Sequence, residues 1–163
     1  MIMKHIKSSF FSSSCLQSSL LGCALLAMAA CSSSDDIAVC PSITAPAEGA
    51  RVFVQTDDNK QIVDARFNGV RTSCTAQNDG TIKMEIKAGL KLSRNLKQNE
   101  SADIVAVPMM VAILDANDAV ISNDVFGYRN GFDKGVAKLY PVAEMDFDVP
   151  VGGRVVLSLR PNH

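Results

Sequence analysis

Apolar and polar residues alternate from Thr81 to Leu92 (TIKMEIKAGLKL): Ile82, Met84, Ile86, Ala88, Leu90 and Leu92 fall on one side, and Lys, Glu and Thr supply most of the other. A period of two over that length predicts a long β-strand with one face in a core and one in water. Asn78-Asp79-Gly80 ahead of it is a hairpin signal, because Asn and Gly tolerate positive φ. The preceding run, 62–77, is its expected partner, as one long strand or as two with a break at Asn68-Gly69. That pairing brings Cys74 close to the turn.

The second half is more apolar. Ile104 to Leu114 (IVAVPMMVAIL) shows no alternation, which predicts a strand covered on both sides or an edge facing a partner, and Pro108, which cannot donate to a ladder, favours an edge or a bulge. Asp115 to Asp118 is a turn, and Ala119 to Tyr128 is the returning strand. After a loop at 129–135, further strands are expected at 136–142, 144–149 and 154–160, with Val151-Gly152-Gly153 between the last two. Residues 95–103 form a polar loop. Seven or eight strands in about 120 residues predict an all-β fold, an immunoglobulin/fibronectin-III-like β-sandwich, with a small β-barrel as the runner-up. The chain has no Trp, so the ring that pins an antibody-type core is missing.

The N-terminal segment changes the setting of that domain. Leu20 to Cys31 (LLGCALLAMAAC) follows a basic start at Lys4, His5 and Lys7, and it ends in two alanines before a cysteine. The run is about half the ~20 apolar residues that a spanning helix needs. Its small residues suit a peptidase cleft, and the cysteine after them offers a thiol for lipidation. A lipoprotein signal peptide at 1–30 is therefore expected, with Cys31 as the lipidated first residue; plain secretion with a different cut is the alternative. Leu20-Leu21-Gly22-Cys23 is a weaker second box, because the residues before it are polar. Residues 31–39 then form the lipidated cysteine and a short tether, and 40–163 a single domain. With Cys15 and Cys23 removed and Cys31 lipidated, Cys40 and Cys74 remain as a pair in an oxidising compartment, and a structural disulfide follows.

Charge and chemistry narrow the function. Without Lys4 and Lys7 the chain has 14 basic and 17 acidic residues, a net of −3, which argues against nucleic acid as a partner. His5 leaves with the signal and His163 is the last residue, so no histidine is placed as a general base or metal ligand. No glycine-rich phosphate loop is present. Glu144, Asp146 and Asp148 share one strand face, an arrangement open to calcium or to a glycosidase pair but commoner as a solvated surface. Asp57-Asp58-Asn59 and the carboxylates of 115–118 are likewise turn residues before they are ligands. No catalytic residue, metal or cofactor is expected, and the chain is not expected to be an enzyme.

Excess apolar character is the sharper clue. Met109, Met110, Val111 and Ile113 exceed what one inward face needs, and Phe126 to Phe132 gathers aromatics around an arginine. Met109, Val111, Tyr128, Arg129 and Phe132 are thus candidate partner-binding residues, since aromatics and Arg concentrate at interface hot spots and an exposed edge accepts a partner's strand. The competing reading packs the methionines into core gaps and the aromatics under a loop.

Cys31 as lipobox, Cys40-Pro41, Cys74 after a long strand, the PMMVAILDANDAVI hairpin and the closing DFDVPVGGRVVLSLRP together resemble a family of small uncharacterised outer-membrane lipoproteins of alphaproteobacteria. The resemblance spans most of the mature chain and brings no assigned activity. It implies an outer-membrane, lipid-anchored protein facing the periplasm. The expectation is a non-catalytic module that docks a protein partner in cell-envelope assembly or maintenance; the alternative is a binding module for a small ligand, glycan or lipid.

Overall fold

The structure, a computed structural model, describes residues 38–161. The expected signal peptide at 1–30, the expected lipidation site Cys31, most of the expected tether and His163 lie outside the described residues. The described part contains nine strands: β1 (Ser42–Thr44), β2 (Arg51–Gln55), β3 (Ile62–Ala76), β4 (Thr81–Arg94), β5 (Asp103–Leu114), β6 (Val120–Phe132), β7 (Lys138–Leu139), β8 (Val142–Pro150) and β9 (Arg154–Leu159), with one short 3-10 turn at Ala47–Gly49. They form two sheets, β1-β9-β5-β6 and β2-β3-β4-β7, with β8 also on β4. The chain is all-β and the sheets lie as a sandwich.

The alternation in β4 places Met84, Ile86, Ala88, Leu90 and Leu92 in the core, each fully buried. β3 pairs antiparallel along its whole length, and its register shifts between Phe67 and Val70. Asn68 and Gly69 there face the single residue Gly89. Gly69 holds φ at +106°, a region that glycine enters without steric cost, so the predicted break is a bulge within one continuous strand.

Several expectations are corrected. Arg129 to Phe132 are not loop: they extend β6 and pair with Asp103 to Ala106. The glycines and Asn130 suggested a turn, but on this strand they are tolerated by an ordered neighbour. Of 136–142 only Lys138–Leu139 pairs as strand β7 before Pro141, and β8 then takes up the same edge of β4. β1 and β2, too short to leave a clear period, had no counterpart in the sequence pattern. β5 is no edge, since it lies between β9 and β6. Pro108 still fits. Its carbonyl accepts from Arg160 N at 2.9 Å, so its missing N–H faces the same way, where β9 has ended.

Two packed clusters fill the interior. One, around Val63, Leu90, Leu92, Val105, Val107, Met109 and Phe132, lies toward the start of β5. The other, around Met84, Ile86, Val111, Val149, Val155 and Leu157, lies toward its end. β2 runs on past its own sheet to a bridge between Thr56 and Val105, and Asp57 N donates to Ile104 O at 2.7 Å, which closes one corner of the sandwich.

Candidate functional site

The five residues predicted to bind a partner do not share one surface. Met109, Val111 and Phe132 are core residues, each 1% exposed, and are not available to a partner in this fold. Inward and outward positions alternate along β5 although the outward ones are also apolar; that is why the sequence offered Met109 and Val111 rather than their neighbours. Tyr128 is half-buried on the inner side of β6, and its hydroxyl donates to Val142 O at 2.6 Å, tying the edge strand β6 to the edge strand β8. Arg129 points the other way, exposed, and pairs with Asp57 at 2.7 Å.

The outward positions of β5 and β6 do form a surface. Ile104, Ala106, Pro108, Met110 and Ala112 lie along the outer side of β5, opposite Gly131, Arg129, Gly127, Val125 and Asn123 of β6. Ile104, Ile121 and Val125 are 41, 54 and 55% exposed. On the other flank Val156 and Ser158 pair with Ala112 and Met110. The result is a broad, mainly apolar face bordered by Arg129 opposite Ala106, Arg154 beside Leu114 and Arg160 beside Pro108. β6 itself is a free edge in the described sheet, 13 residues long. It has neither Lys nor Pro, the residues that usually blunt such edges.

The opposite outer face is polar along β4 and β8. Glu144 and Asp146 lie outward and pair with Lys87 at 3.1 Å and Lys83 at 3.6 Å, while Asp148 accepts from Gln77. The carboxylate row is thus a solvated, ion-paired surface. Asp115 accepts from Asn117 N and Ala119 N, the turn role its position suggested. Among the described residues no three His, Cys, Asp or Glu side chains are grouped to hold a metal ion.

Two features hold the ends of the sandwich. Cys40, just ahead of β1, is bonded to Cys74 of β3, with Cα atoms 5.3 Å apart, as expected from the cysteine count. A loop of this length stabilises by roughly 4 kcal/mol in the chain-entropy picture. At the other end is a polar network that sequence reasoning missed. Asp103, buried at the start of β5, accepts from Asp58 N at 3.1 Å, Asn59 N at 2.9 Å and Asn59 Nδ2 at 2.9 Å. Burial alone would raise its pKa, but these bonds and one from the Thr56 hydroxyl outweigh it and hold the carboxyl well below the usual range. So Asp58 and Asn59 wrap the Asp103 carboxylate, while the Asp57 side chain pairs with Arg129.

Arg94, at the end of β4, is also buried. Its guanidinium donates to Val136 O at 2.8 Å, Ser101 O at 2.7 Å and Asp133 O at 2.9 Å, and lies 4.7 Å from the Phe132 ring centroid. It pins the loops on either side of the β5–β6 hairpin. Apart from the Asn59 and Thr56 side chains and the near Ser101, the partners of Asp103 and Arg94 are backbone groups about 40 residues away, and the identity of such partners leaves no motif in sequence.

No protein-family model, no curated protein and no solved structure matches this chain.

Proposed function

We propose that the chain is a non-catalytic, lipid-anchored periplasmic protein of the outer membrane, held through Cys31, and that the outer face of β5 and β6 docks a protein partner in envelope assembly or maintenance. The supporting observation is the row Ile104, Ala106, Pro108, Met110 and Ala112, apolar at outward positions beside an unblunted edge strand. Monomeric proteins seldom leave a broad apolar patch in water without a use for it. The pattern leading to Cys31 supplies the anchor, and a Cys40–Cys74 disulfide suits an oxidising compartment. Ala38 N donates to Cys74 O, so the tether enters at the disulfide end. About seven residues separate Ala38 from Cys31, a reach of ~25 Å at most, which would hold that end near the bilayer. A ligand between the sheets has less support, because side chains fill that space.

Site-specific photocrosslinking in intact membranes tests the reading. Probes replacing Met110 or Val125 should each capture one and the same protein, and a probe at Glu85, on the other outer face, should not. Equal capture from all three positions, or capture from Glu85 alone, overturns the docking face.

A further inference from the structure

The bulge in β3 shapes a second site, on the outer face of the opposite sheet, independent of the docking proposal. Arg71 stands directly across from Lys87, and beyond the bulge, with two residue pairs between, Arg66 stands across from Lys91. Partners in an antiparallel register project to the same side, so each pair sets two cations against each other, an arrangement that weakens a sheet unless something neutralises it. Neutralisation within the protein is incomplete. Lys87 reaches Glu144 at 3.1 Å and Arg66 reaches Asp64 at 3.8 Å, but no carboxylate among the described residues pairs with Arg71 or Lys91. Glu85, diagonal to Arg71, accepts from Ser73.

Over the bulge, beside the Arg71–Lys87 pair, lies a cleft of about 480 Å³ lined by Asn68, Gly69, Gly89 and Tyr140 among others. Gly89 leaves its floor clear: a Cβ there would come within 3.3 Å of the Asn68 and Gly69 carbonyls. Its rim carries Tyr140, 59% exposed, whose ring centroid is 6.0 Å from Lys91 Nζ. Cations, bulge carbonyls that accept hydrogen bonds, and an exposed aromatic ring suit a ligand with an anionic group, hydroxyl donors and a ring face. We propose that this cleft binds a phosphorylated sugar, either free or as a lipid headgroup.

The test follows backbone amide NMR shifts of the full chain while glucose 6-phosphate, glucose or inorganic phosphate is added. In a second arm vesicles of phosphatidylcholine are used with and without phosphatidylinositol phosphate. Saturable shifts at Gly69, Gly89 and Tyr140 are expected with the sugar phosphate, weaker ones with phosphate, and none with glucose. Arg71→Ser with Lys91→Ser should weaken binding about tenfold or more. The same variant should keep or raise the melting temperature, because repulsion is relieved, so lost binding would not reflect lost folding. A response confined to the doped vesicles, and lost in the variant, assigns the lipid-borne source and supports the proposal. No saturable response in either arm, an equal response to glucose, or binding that survives in the variant overturns it.

Discussion

β4 and β5 are the central strands of their sheets, each with a neighbour on both sides, and their inner faces are equivalent: Met84, Ile86, Leu90 and Leu92 on one, Val105, Val107, Met109 and Val111 on the other, all at 0–1% exposure. Their outer faces are opposites. β4 presents Lys83, Glu85, Lys87 and Lys91, whereas β5 presents Ile104, Ala106, Pro108, Met110 and Ala112. Folding requires only one apolar face per strand of a two-layer sandwich. The second apolar face of β5 therefore lies outside what the fold demands, and the proposed docking rests on that surplus. Had β5 been an edge, or covered by a helix, the same composition would carry no such meaning.

The largest effect should come from charging the shared property, the inner faces. Met84→Lys and Met109→Lys each place an unpaired ammonium where no water reaches, at a cost of at least about 4 kcal/mol. Denaturant unfolding should find both variants largely unfolded. A well-folded Met109→Lys would mean that β5 is not a core strand and would break the comparison.

A smaller loss, about 3 kcal/mol, is expected for Asp103→Ala, which leaves the donors of Thr56, Asp58 and Asn59 without their acceptor where β5 begins. Because the folded carboxyl has a lowered pKa, its contribution is complete above the unfolded value near pH 4 and is lost as pH falls through the folded one. Wild-type stability should therefore drop on acidification below about pH 4, and Asp103→Asn should flatten that part of the profile. An identical slope in both proteins would show that the carboxylate does not carry the corner.

How much of this was legible follows from the range of each interaction. β4, its turn at 78–80 and the Cys40–Cys74 bond leave local or countable marks: a period of two, an Asn-Asp-Gly triplet, two cysteines left over. Asp79 shows the local case, accepting from Thr81 N at 2.9 Å and Thr81 Oγ1 at 2.7 Å, which lowers its pKa. β5 leaves an ambiguous mark, because two apolar faces erase the alternation that tells inward from outward, so the pattern points to Met109 and Val111 as surface when Met110 and Ala112 hold that position. Asn130 and Gly131 read as turn formers because local propensity argues for a turn, and only pairing with β5 overrides it. Asp103 and Arg94 left none, since their partners are mostly distant backbone groups that any sequence supplies.

The smallest effect on stability is expected where the two strands differ. Met110→Lys and Glu85→Lys both put a lysine on a solvent-facing position of a central strand, so each should change the unfolding free energy by no more than about 0.5 kcal/mol. Their consequences for association should nevertheless diverge. On β4 a further lysine joins an already charged, hydrated surface and leaves partner capture unchanged. On β5 it forces desolvation of an ammonium against an apolar partner, and one such group at an interface centre weakens binding by about tenfold or more. Capture through a photoprobe at Val125, compared in the two backgrounds at matched melting temperature, measures the difference directly. If Met110→Lys captures as well as Glu85→Lys, the apolar outer face of β5 is a surface without an occupant, and the unequal faces of β4 and β5 say nothing about function.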